Sequence, residues 1–137
     1  MEDSLELMNI NQNNKLKQSL IDFSESSPMR EVCGFICLED GDLVLQKATN
    51  HSSDDGFFLI SPFDFLERKL SGGLVAIFHS HVDSNEDPSE LDKKNSLNCL
   101  YPFLIYSLET ENFCLFDRPH FERSEKCVND LREIMDD

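Results

Sequence analysis

The sequence predicts an α/β fold in which strands dominate the centre and helices cover them. Three observations carry this. Strand-like apolar runs recur between residues 32 and 116, and two intervening segments begin with strong helix-start signals. The 137 residues, 39% hydrophobic and including 11 phenylalanines, are enough for one core, so a wholly disordered chain is excluded.

Residues 9–23, "NINQNNKLKQSLIDF", space Ile10, Leu16, Leu20 and Phe23 near the helical period, and "SESSP" then breaks the pattern. This predicts a covering helix. "EVCGFICLED" and "GDLVLQKATN" read as two strands joined at Asp40-Gly41, a strong hairpin signal. "FFLI" (residues 57–60) reads as a short strand. "SPFDFLERKL" offers Ser61 as N-cap and Pro62 at the first helical position. "GLVAIFHSH" is a buried-type strand, "SELDKKNSLNCL" a capped helix, "PFLIYSL" and "NFCLF" two further strands, and "RSEKCVNDLREIMDD" a last helix. The expected divisions are an N-terminal helical segment over residues 1–28, a core over 29–117 and a C-terminal helical tail over 118–137.

Formal net charge is −15, with 27 acidic against 12 basic residues spread along the chain. Nucleic acid is therefore excluded as a partner, because phosphate binding needs a basic footprint. Cys33, Cys37, Cys99, Cys114 and Cys127 are odd in number and follow no C-x-x-C spacing, which reads as reduced thiols in a cytoplasmic compartment. No apolar run reaches the roughly 18 residues of a membrane span, and the start lacks a signal peptide's basic and apolar regions. A soluble, unexported protein with no membrane partner is expected.

The chemistry concentrates in "AIFHSHVDSNEDPSELD", residues 76–92. Residues two apart in a strand share a face, so His79 and His81 can present both imidazoles to one metal. Catalytic zinc takes three protein ligands, and Asp92 in the first turn of the next helix is the natural third. Ser89-x-x-Asp92 is equally a capping-box pattern, which needs no metal. Both readings stand on the residues alone.

Glu31, then His79-Ser80-His81, a seven-residue spacer and Ser89-Glu90-Leu91-Asp92 resembles the signature of the JAMM (MPN+) zinc metallopeptidases. The resemblance runs from about residue 29 to 116 and is strongest to the compact JAMM domain of tailed-bacteriophage tail assembly proteins, the lambda tail protein K type. It implies a mixed curved β-sheet flanked by helices, of the JAMM/MPN, cytidine-deaminase-like kind. It also implies one Zn2+ per chain on His79, His81 and Asp92, with Glu31 activating the water and Ser89 stabilising the oxyanion. The implied activity is hydrolysis of a peptide or isopeptide bond in phage tail assembly or maturation, on a protein or peptide substrate such as a tail protein, in the host cytoplasm or the virion tail. A non-catalytic tail component, or an enzyme removing a ubiquitin-like or sulfur-carrier protein, are the other two readings. "DRPHFERSEKC" faintly resembles the start of an NlpC-type cysteine peptidase, but no histidine follows Cys127, which reads as a helix-packing residue. His51 and His120 lie outside the motif and read as surface or loop residues.

Overall fold

The computed structural model describes the backbone of residues 2–118 and 124–136, and the side chains of residues 14–118 and 124–136. Its elements are α1 (Glu2–Glu25), β1 (Cys33–Glu39), β2 (Asp42–Ala48), α2 (Pro62–Ser71), β3 (Leu74–His81), α3 (Glu90–Cys99), β4 (Phe103–Ser107), β5 (Phe113–Phe116) and α4 (Glu125–Asp136). The strands form one mixed sheet in the order β2-β1-β3-β4-β5, parallel only between β3 and β4. A parallel pair needs a crossover, and α3 supplies it.

The β1–β2 hairpin closes at the expected dipeptide. Asp40 (φ 51°) and Gly41 (φ 85°) both take positive φ, the conformation that matches the twist of the flanking strands. Gly34 is required for a different reason: a Cβ there would meet the Gln46 carbonyl oxygen at 2.7 Å, so any side chain would push β1 off β2. Helix α2 starts as its sequence dictates, with Ser61 Oγ accepting from Phe63 N–H at 3.2 Å and proline in its first turn.

The alternation of β-strand side chains divides the interior into two layers. Ile36, Ala76, Phe78, Leu104 and Tyr106 pack against Leu16 and Leu20 of α1 and against Cys127, Val128, Leu131 and Ile134 of α4. Both terminal helices therefore complete one core, and Cys127 is a packing residue. On the opposite face Cys33, Phe35, Ile77, Phe103 and Ile105 pack with Phe58 and Tyr101. Helix α2 contributes no fully buried residue to that second layer. The side chain of Ile10 and all of His120 lie outside the described residues, while His51 is exposed.

One expected strand is absent. Residues 57–60 join no sheet: Leu59 N–H donates to the Asn50 side-chain oxygen at 3.0 Å, and its carbonyl accepts from His51 N–H at 2.8 Å. A side chain satisfies the donor that a neighbouring strand would have taken, and Phe58 turns into the core. Strand β1 also begins at Cys33, two residues later than Glu31.

Candidate metal centre

Strand β3 ends with His79 and His81 on the same face, and the chain returns through residues 82–88 into the N-terminus of α3. The geometry of a β-strand running into a crossover helix places the helix's first turn over the strand end. Asp92 lies in that turn, where the helix dipole favours a carboxylate. His79, His81 and Asp92 are all buried, at 0%, 2% and 4% exposure, and each offers a ligand atom within 4.8 Å of the others.

His81 Nε2 is 2.9 Å from Asp92 Oδ2, and its Nδ1 lies 2.7 Å from the Asn85 carbonyl oxygen. Because a carbonyl only accepts, Nδ1 carries a hydrogen, which leaves Nε2 as the nitrogen directed at the shared centre. Burial pulls the His81 pKa down, but the hydrogen bonds to Asp92 and Asn85 and the charges of Asp92 and Glu31 more than reverse this, so it is raised. His79 is different. Its Nε2 comes within 3.1 Å of Asp92 Oδ1, but neither of its nitrogens makes a hydrogen bond of good geometry. Burial lowers its pKa and keeps the ring neutral.

A neutral, fully buried imidazole without a hydrogen bond is costly unless something else satisfies it. A cation between His79, His81 and Asp92 would do so. Two nitrogens and one carboxylate are a zinc-type donor set, and separations near 3 Å suit ligands about 2.0–2.2 Å from one ion. The residues present therefore fit zinc. Burial opposes ionisation of Asp92, but the close approach of His79, the bond to His81 and the Ser89 backbone N–H overcome this and hold its pKa well below the carboxylate range.

Glu31 reaches this centre through strand register. The β1–β3 pairing aligns Cys33 with His79, and it is prolonged by Ser80 N–H donating to the Val32 carbonyl (3.0 Å) and Val32 N–H donating to Ser80 Oγ (2.9 Å). The same register brings Glu31 across from His81. Glu31 is 7% exposed; burial raises its pKa to about 8, with His81 lowering it and Asp92 and Asp54 raising it further. Burial and the neighbouring Glu31 likewise push the Cys33 thiol up to about 12, so it stays protonated opposite His79.

Ser89 caps α3. Its Oγ accepts from Asp92 N–H at 3.0 Å while its own N–H donates to Asp92 Oδ2 at 2.9 Å. A hydroxyl that accepts still has a hydrogen to donate, so capping does not consume the Ser89 O–H.

Six further residues support the centre. Phe58 stacks on the His79 ring with centroids 4.3 Å apart, and Phe103 meets it edge-on at 5.6 Å. Asn50 donates from Nδ2 to the Glu31 and Phe57 carbonyls, at 2.9 and 3.1 Å, and accepts from Ser52 and Leu59 N–H. Arg30 braces the same loop through Asp55 and the carbonyls of Asn50 and Ser52. Ser80 and Asn85 act through the bonds already described. Only Ser80 sits inside a recognisable pattern, between the two histidines.

No helix among the described residues is long and apolar enough to cross a membrane. All five cysteines are free.

Comparison with known proteins gives three results. A family model described as prokaryotic homologs of the JAB domain matches residues 13–116. Tail tip assembly protein K of Escherichia phage N15 is 35% identical over 79 residues, which is 57% of this chain and 32% of that protein, so the chain spans about a third of that relative's length. A Desulfitobacterium hafniense protein known from its solution structure superposes with a TM-score of 0.58 at 20% identity, covering 74% of this chain and 77% of that one, a likeness of fold. With the match running from α1 through β5 and including the buried His-His-Asp group, the chain belongs to the family of prokaryotic homologs of the JAB domain.

Proposed function

We propose that this protein is a zinc-dependent peptidase or isopeptidase acting in phage tail assembly or maturation. The observation that carries the reading is the orphaned His79 imidazole, buried against Asp92 and His81, with a buried carboxyl group placed beside them. An interaction module has no physical need for a neutral, fully buried histidine whose nitrogens make no hydrogen bond. The tail-assembly setting rests on the likeness to the phage N15 protein.

His79, His81 and Asp92 would hold the ion. Zinc there supplies Lewis acidity, polarising a carbonyl and acidifying a water. Glu31, whose burial favours its protonated form, would become a carboxylate base with a positive charge held beside it, because such a charge favours the ionised form. Glu31 takes a proton from the water as its oxygen attacks the carbonyl carbon, then returns that proton to the amine nitrogen as the C–N bond breaks. The Ser89 O–H donates to the oxygen on which charge develops. Asn50 holds the Glu31 backbone, and Phe58 and Phe103 fix the His79 ring against rotation.

The test uses zinc-loaded protein and an unstructured peptide library read by mass spectrometry. Glu31→Gln keeps size and shape but removes the base, so zinc content should persist while cleavage falls about 100-fold or more. Cleavage that survives this change removes Glu31 from the chemistry; no cleavage by the zinc-loaded wild type removes the peptidase reading in favour of a non-catalytic tail component.

A further inference from the structure

An apolar groove of about 340 Å³ opens beside the metal group, between the segment from Phe58 to Pro62 and helix α3. Ile77 and Phe103 form its floor, Phe58 and Leu59 one wall, and Asn95 and Asn98 the other. Its lining adjoins the centre in three ways. Ile77 precedes His79 by two residues on the same strand face, so the floor lies about 7 Å from the His79 position. Asp92, Asn95 and Cys99 follow one another at helical spacing, so the α3 wall of the groove begins at the metal-ligating carboxylate. Phe58 and Phe103 pack on His79 with one side and line the groove with the other.

Resting on the peptidase reading above, we infer that this groove is the side-chain pocket that selects the substrate, taking one large aliphatic or aromatic residue about two positions from the scissile bond. The distance fixes the position: side chains on one face of an extended peptide recur about every 7 Å, the same interval that separates the groove floor from His79. The volume is ample for one large side chain, and the apolar floor rejects a charged one. The asparagine wall adds donors and acceptors for the peptide's backbone, which an extended segment must have satisfied when it leaves water. Leu59, 53% exposed at the rim, offers apolar surface that a bound side chain would cover.

The experiment compares capped eight-residue peptides of one background sequence, carrying leucine, phenylalanine, alanine or aspartate at successive positions on both sides of a central bond. Binding is measured to zinc-loaded Glu31→Gln protein, and cleavage with zinc-loaded wild type. At one position about two residues from the cut, leucine and phenylalanine should bind about 10-fold or more tightly than alanine, and aspartate weaker still. Asn98→Trp, which plugs the groove from an exposed helix position, and Leu59→Glu, which charges its rim, should each erase the discrimination with zinc content unchanged. If the tryptophan variant does not fold, the rim variant alone decides. Wild-type binding without side-chain preference, or a preference that survives both substitutions, overturns the pocket. Apolar-selective binding with no cleavage upholds the pocket and removes the peptidase reading, whereas cleavage indifferent to the apolar position does the reverse.

Discussion

Ser89 and Asp92 are bonded in both directions, Asp92 N–H to Ser89 Oγ and Ser89 N–H to Asp92 Oδ2, and the same Oδ2 faces His81 Nε2 at 2.9 Å. The reciprocal cap that starts α3 is thus also what aims the carboxylate at the two imidazoles. Helix start and metal group are one structure, and a change to either is felt by both.

Ser89→Ala removes the cap acceptor and the hydroxyl donor together. Stability should fall by about 1 kcal/mol, the usual weight of an N-cap, and peptide cleavage by about 100-fold. Ser89→Asn restores an acceptor for Asp92 N–H without a hydroxyl at the oxyanion position. Chemical denaturation should therefore show recovered stability for the asparagine variant while turnover stays low. Wild-type turnover in the alanine variant would confine Ser89 to capping.

Purified protein should hold about one zinc per chain after exhaustive dialysis, and chelation should lower its melting temperature, since an ion bound only by the folded state stabilises it by mass action. His79→Ala and Asp92→Asn should each abolish stoichiometric binding. Asparagine is the informative choice, because its side-chain oxygen can still accept from Ser89 N–H and so spares the cap. Full zinc occupancy, by elemental analysis, in the double His79/His81 alanine variant would place the metal elsewhere.

The metal-free protein should lose stability as pH rises from about 4.5 towards 8. The sign follows from Glu31: its folded pKa of about 8 lies above the ordinary glutamate value of 4.5, so the native state holds a proton that the unfolded state has released across that window. Stability from this group is complete below about 4.5 and lost as pH passes 8. His81, also raised, acts in the same direction, whereas His79 and Asp92, both lowered, act oppositely in their own more acidic ranges. Denaturation midpoints for chelator-treated wild type and Glu31→Gln isolate the glutamate: the pH slope of the variant should be shallower, and identical slopes would show that Glu31 does not titrate abnormally. Zinc uptake must also expel the His81 proton, so affinity should rise with pH.

Much of this site is legible in the sequence because it is local. Two histidines at period two and a serine and aspartate one helical turn apart declare a shared face and a capped helix before any tertiary contact is known. The capping and metal-binding readings compete there only because a sequence cannot show that one Asp92 oxygen accepts the cap bond and faces His81 while the other approaches His79. Glu31 is legible through resemblance alone, since its place depends on a β1–β3 register spanning nearly fifty residues. Phe58 and Asn50 are not legible at all: residues 57–60 carry a strand-like composition, and only the fold turns Phe58 onto His79 and lets Asn50 replace a neighbouring strand.

The rim of the centre is acidic, and substrate charge should matter. Residues 50–58 carry Asp54 and Asp55, and residues 82–88 carry Asp83, Glu86 and Asp87. Both loops touch the site, one through the bond from Asn50 to the Glu31 carbonyl and the other through the Asn85 carbonyl on His81. Asp54 is near enough to help raise the Glu31 pKa, so its field reaches the centre. Not all the acids act alike. Asp55 is engaged by Arg30 at 3.0 Å, Glu86 accepts from the Thr110 hydroxyl at 2.7 Å and Asp54 Oδ1 accepts from Gly56 N–H at 2.8 Å, so Asp83, Asp87 and the second oxygen of Asp54 are the better placed to meet a passing peptide. An extended segment with lysine or arginine near the cut should thus bind faster than its acidic counterpart, and the advantage should shrink as salt shortens the Debye length from about 10 Å at 0.1 M to about 3 Å at 1 M. Asp54→Asn combined with Asp83→Asn should flatten both dependences while zinc content stays unchanged. Cleavage rates across charge-varied peptides at the two salt concentrations decide it: indifference to peptide charge and to ionic strength would reduce these loops to solvated surface and leave the zinc chemistry as it stands.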